Sequence, residues 1–80
     1  MDTRDPRVDP RPGDVVRLPH EDDDRWLVRE VREVVSGVVR YSVRRWLGIR
    51  YLRHHTTTLR AWRRDCATAT VITVAGEEGR

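Results

Sequence analysis

Apolar residues in this 80-residue chain fall in short runs separated by turn-forming or charged segments. The first dozen positions are Pro-rich, charged and nearly devoid of apolar side chains. That predicts a flexible arm over residues 1–11, which has too little to bury to offset its ordering entropy. Pro12, Gly13 and Asp14 form a turn signal that launches a short strand of Val15, Val16, Arg17 and Leu18, stopped by Pro19. His20 to Asp24 then reads as an acidic loop.

Between Trp26 and Val43 two periodicities compete. Leu27, Val28, Val31, Val34 and Val35 sit at i, i+1, i+4, i+7 and i+8, with Asp24 as an N-cap and Gly37 as a C-cap, so an amphipathic helix over about 24–36 fits. Four of those five residues are Val, however, which is stiff at χ1 and a poor helix former. The rival is a hairpin turning on Ser36 and Gly37. It pairs Val34 with Val39, Val35 with Val38, Glu33 with Arg40 and Arg32 with Tyr41. The core face of that hairpin is Trp26, Val28, Val34, Val39, Tyr41 and Val43. Glu30 and Arg32 share this face and spoil it, and a bulge near them corrects the fault.

A second turn is expected near Leu47 and Gly48, then a strand from Ile49 to about His55. Thr56 to Thr58 are candidate N-caps for a short helical turn that points Leu59, Trp62 and Cys66 inward and Arg60, Arg63 and Arg64 outward. A last strand over Ala67–Val74 is rich in β-branched residues, and residues 76–80 read as a flexible tail. The hairpin reading makes the chain all-β: a single small domain over 12–75, with five short strands and one helical turn before the last. The helix reading makes it α+β.

Charge adds the next constraint. All sixteen basic residues are Arg, and eleven of them lie between Arg25 and Arg64, opposed only by Glu30 and Glu33. Both flanks are net acidic. A basic body between acidic ends suits a nucleic acid or an acidic protein surface. A body this small buries only about 60% of the surface its unfolded chain exposes, which leaves no room for a deep substrate cavity. No catalytic constellation is present, so a non-enzymatic module without cofactor or small-molecule substrate is expected. A single cysteine, Cys66, excludes an internal disulfide framework and points to a reducing, cytoplasmic setting. No run approaches the roughly 18 apolar residues of a membrane span. The expected state is a monomer or weak homodimer, since edge strands of a small sheet can pair.

Pro12-Gly13-Asp14-Val15-Val16-Arg17-Leu18, followed by the Val-rich hairpin ending Gly37-Val38-Val39-Arg40-Tyr41, resembles the opening of SH3-like small barrels of the KOW and Tudor kind. Asp9-Pro10-Arg11-Pro12-Gly13-Asp14-Val15-Val16-Arg17, together with Leu59-Arg60-Ala61-Trp62-Arg63-Arg64, resembles short phage and prophage proteins of GC-rich bacteria. The glycine that usually opens the second KOW strand is replaced here by Asp24-Arg25-Trp26. The resemblance implies a barrel used as a binding surface, including one that docks on or inhibits a host protein complex.

The candidate binding residues are Arg44, Arg45, Arg50, Arg53, Arg60, Arg63 and Arg64, as cations for phosphate or acidic side chains. Trp46 and Tyr51 are candidates for stacking on bases. The competing role for each ring is core packing, because the chain has no Phe. His54 and His55 lie on opposite faces of a strand and so cannot share a metal with a common neighbour, and no metal site is expected. Glu30 and Glu33 read as partners for Arg29, Arg32 and Arg40.

Overall fold

The computed structural model describes residues 4–19, 26–48 and 50–76. The all-β plan holds. Strand β1 is Val15–Arg17, β2 Leu27–Val35, β3 Val38–Arg45 and β4 Tyr51–Thr58; helix α1 spans Leu59–Asp65 and β5 spans Thr70–Thr73. They form one antiparallel sheet in the order β4-β3-β2-β1-β5, with α1 inserted before the last strand. The alternative helix over about 24–36 does not form in the described part of that range, because Leu27–Val35 is strand. Among the described residues no helix is long and apolar enough to cross a membrane.

The β2–β3 hairpin turns on Ser36 and Gly37, whose φ angles of +51° and +75° put both central residues in the left-handed region that a two-residue type I′ turn demands. The first pairs follow the expected register: Val35 with Val38, Val34 with Val39 and Glu33 with Arg40. A bulge then falls between Val31 and Glu33, so that Val31 rather than Arg32 opposes Tyr41. One extra residue reverses every side chain beyond it. Leu27 and Val31 turn into the core and Glu30 turns out. Trp26, expected on the core face, is 42% exposed. Val28 is buried, but with Val15 on the opposite side of the sheet, outside the main cluster.

The main core consists of Val16, Leu27, Val31, Val39, Tyr41, Val43, Trp62, Cys66 and Ala69. Trp62 is the largest fully buried side chain and packs its ring 5.4 Å from that of Tyr41. Arg29, carried inward by the shifted register, lays its guanidinium 4.7 Å from the Tyr41 ring centroid. Helix α1 starts where Thr58 accepts a hydrogen bond from the Ala61 N–H at 3.0 Å, one of the three threonines expected as caps. Strand β4 runs through Thr56 and Thr57 before that cap, three residues beyond the expected end.

Residues 4–11 depart from the expected loose arm. Pro6 and Pro10 are buried, and the Trp62 indole N–H donates to the Pro6 carbonyl at 2.9 Å. Arg4 pairs with Asp14 through both terminal nitrogens and donates to the Ala75 carbonyl at 2.8 Å. The fully buried Asp14 carboxylate also accepts from the backbone N–H groups of Arg11 and Ala75, each at 2.7 Å. This carboxylate ties the N-terminal segment, the entry to β1 and the exit from β5 to one point. Gly13 is required beside it, at φ +96° with the position of a Cβ only 2.9 Å from the Ala75 Cβ. The arm is ordered by polar bonds to buried partners, a route that its apolar content does not reveal.

Candidate nucleic-acid interface

From Val34 to Arg64 the chain carries eight arginines and no carboxylate. Folding places much of that stretch on one margin of the sheet, because β4 is an edge strand and α1 follows it directly. Every residue of β4 except Thr57 is exposed. Arg53 sits opposite Val43 on that strand, and Arg50 precedes it. On α1, Arg60, Arg63 and Arg64 recur at i, i+3 and i+4, so they share the face opposite buried Trp62. Arg45, at the end of β3, is exposed as well.

Their electrostatic states differ. Arg45, Arg50, Arg53 and Arg60 make no ion pair with any described residue. Arg64 pairs with Asp65 at 3.2 Å on an open surface, a contact that water and salt weaken. Arg63 donates through Nε to the Val8 carbonyl at 2.8 Å and remains exposed. Six of the seven arginines singled out from the sequence therefore present charge to solvent.

Arg44 is the exception. It is half-buried on the outer face and donates from Nε to Glu30 at 2.9 Å and from Nη1 to the Trp46 carbonyl at 2.9 Å. Glu30 also meets Arg32 at 3.4 Å and the Tyr51 hydroxyl at 3.5 Å, and Arg32 donates to that hydroxyl at 2.7 Å. The Arg32 guanidinium lies 4.8 Å from the Tyr51 ring centroid. Arg44 and Tyr51, both singled out as ligand contacts, are thus joined in a network around Glu30. The bulge creates this network by turning Glu30 outward. Glu33, by contrast, keeps the Arg40 partner expected of it, at 3.4 Å.

A second feature escaped the sequence reading. Trp26 and Trp46 stand with ring centroids 6.3 Å apart and planes tilted by 54°, and with Arg45, Leu47 and Gly48 they line a shallow cleft. Leu47 is 90% exposed. Trp46 was a stacking candidate, whereas Trp26 was assigned to the core. The bulge reverses the facing of the residues before it, and Trp26 stands just ahead of β2 in a left-handed conformation.

His54 and His55 face opposite sides. His54 Nδ1 lies 2.7 Å from the buried Ser42 Oγ, while His55 stacks on Tyr41 at 5.4 Å. Cys66 is packed within the core. No family model, no curated protein and no solved structure matches this chain.

Proposed function

We propose that this protein is a small non-enzymatic binding module that holds nucleic acid against an arginine strip running from the end of β3 along β4 onto α1. The observation that carries this reading is the carboxylate-free stretch from Val34 to Arg64, whose Arg45, Arg50, Arg53 and Arg60 are exposed and without ion-pair partners among the described residues. A guanidinium always carries its charge and offers a planar fork that matches phosphate oxygens. Lined along an edge strand and one helix face, these groups neutralise a phosphate backbone and recognise it without reading sequence. The strand order β4-β3-β2-β1-β5, with a helical turn before the last strand, supports reading the fold as an SH3-like barrel in this role.

Fluorescence anisotropy of labelled oligonucleotides, titrated at several salt concentrations, tests the proposal. With four of the arginines engaged on single-stranded substrate, log affinity should fall against log salt with a slope of about −3. Charge reversal of Arg53 and Arg60 should flatten that slope and weaken binding at every salt. A slope near zero, or binding unchanged by the reversals, would refute the strip as the interface.

One observation favours a second reading. Among the described residues strand β4 pairs only with β3, and it offers eight residues of open edge without Pro or Gly, which an extended acidic segment of a partner protein could extend as a further strand. This is the form a phage-type inhibitor of a host complex would take. Salt-resistant, stoichiometric binding of an acidic peptide, with no affinity for oligonucleotides, would favour it.

A further inference from the structure

The cleft between Trp26 and Trp46 lies beside Arg45, one end of the proposed strip, and its composition differs from the rest of the surface. It is lined by two indoles, Leu47 and Gly48, and among the described residues that line it Arg45 alone is charged. Arg50, two residues beyond Gly48 in the same connection, adds a second exposed cation. Trp26 is held there at a cost, since its φ of +52° lies in the left-handed region that a bulky side chain rarely adopts. A hydrogen bond from the Trp46 N–H to the Trp26 carbonyl, at 3.1 Å, fixes the two residues together. Exposed apolar area and backbone strain thus coincide at one place.

The rings already carry the protein's own cations. Arg17 lies 4.5 Å from the Trp26 centroid and Arg44 lies 5.7 Å from that of Trp46. A cationic ligand would meet those guanidiniums and be repelled. A flat, neutral ring joined to a negative group meets complementary surface: indole and leucine for the ring, Arg45 and Arg50 for the charge. We infer that this cleft takes one unstacked base of a single-stranded nucleic acid, with the adjoining phosphates on Arg45 and Arg50. The inference rests on the nucleic-acid reading above and adds a preference for single strands over duplex. A base paired inside a duplex cannot enter a wedge whose walls stand 54° apart, whereas an unstacked base can lie on one indole with its edge against the other.

Trp26→Gly provides the sharpest test, because glycine adopts a φ of +52° without strain and the ring it removes is already 42% exposed, so the fold should survive. Three fluorescein-labelled probes are compared by anisotropy at low salt: an oligothymidine, the same backbone with abasic residues, and a duplex of equal length. The wild-type protein should bind oligothymidine most tightly, and Trp26→Gly should lose about fivefold or more on that probe alone, the low end for one stacked base. Leu47→Ser, at a 90% exposed position, should give a smaller loss in the same direction, and oligothymidine should quench wild-type tryptophan emission. Equal binding of the abasic and thymidine probes, or a Trp26→Gly variant indistinguishable from wild type on oligothymidine, would overturn the base site while leaving the arginine strip intact. Failure of all three probes to bind would overturn the strip and the cleft together.

Discussion

Removing the Asp14 carboxylate should unfold most of what the polar N-terminal segment contributes, and the structure allows the cost to be apportioned. Asp14 is fully buried and accepts from two backbone N–H groups and from Arg4, whose side chain is only 10% exposed. In Asp14→Ala the Arg11 and Ala75 N–H groups lose their partner and the Arg4 guanidinium loses its carboxylate. Stranded donors cost about 1–3 kcal/mol each and a broken buried pair about 3–5 kcal/mol, contributions that overlap here, so a total of about 4 kcal/mol is expected. A chain of this length has roughly 4–12 kcal/mol of stability in all, so Asp14→Ala should remove about a third or more of it. Arg4→Ala leaves the carboxylate its two backbone donors and should cost less, about 2–3 kcal/mol. The two changes should couple by about 1–3 kcal/mol in a double-mutant cycle. Urea titrations followed by tryptophan emission, which includes that of buried Trp62, measure all four corners. An Arg4→Ala variant within about 0.5 kcal/mol of wild type, the range of an ordinary surface change, would mean that residues 4–11 are the loose arm their composition suggests.

Ser36 adopts φ +51° in the hairpin turn, and Asn tolerates that conformation better, so Ser36→Asn should raise stability by about 0.5–1 kcal/mol in thermal unfolding. Glu30→Gln should cost about 1–2 kcal/mol in the same assay, because the Arg44 and Arg32 guanidiniums lose their shared anion; it should also tighten oligonucleotide binding several-fold. Hydrogen bonds from the Arg7 side chain and backbone hold the Asp5 carboxyl below its usual value of 3.8. Its contribution is therefore fully present above pH 3.8 and fades as pH falls through the lower folded value. Amide-exchange protection of Val8 and Asp9, whose N–H groups bond to the Asp5 carbonyl, should persist at pH 4.5 and weaken only in stronger acid.

Much of this architecture was legible from residues close together in the chain. Ser36 and Gly37 announced the turn, and β-branched Val on both sides of it chose strand over helix. Thr58, Leu59, Trp62 and Cys66 spelled out a capped helical turn with one buried face. The same helical periodicity points Arg60, Arg63 and Arg64 of α1 outward, and they are exposed. The fault at Glu30 and Arg32 was visible too, as two charges on an apolar face, and it marked the place where the bulge falls.

Which side chains meet in the candidate site depended on contacts between distant segments. The bulge is a choice of register, and its consequence for Trp26, Glu30 and Arg44 is felt up to five residues away along β2 and across on β3. The charges at Glu30 and Arg32 point to a bulge, but the facing of Trp26 follows from the register that β2 adopts against β3. The ordering of residues 4–11 likewise rests on Asp14, Trp62 and Ala75, partners reached only after the chain has closed. Local side-chain preferences and hydrophobic periodicity act over a few residues and are written in the sequence, so strands, turn, cap and the basic strip could be read there. Register and buried polar pairing are settled by which distant groups must be satisfied together, and only the folded chain decides that.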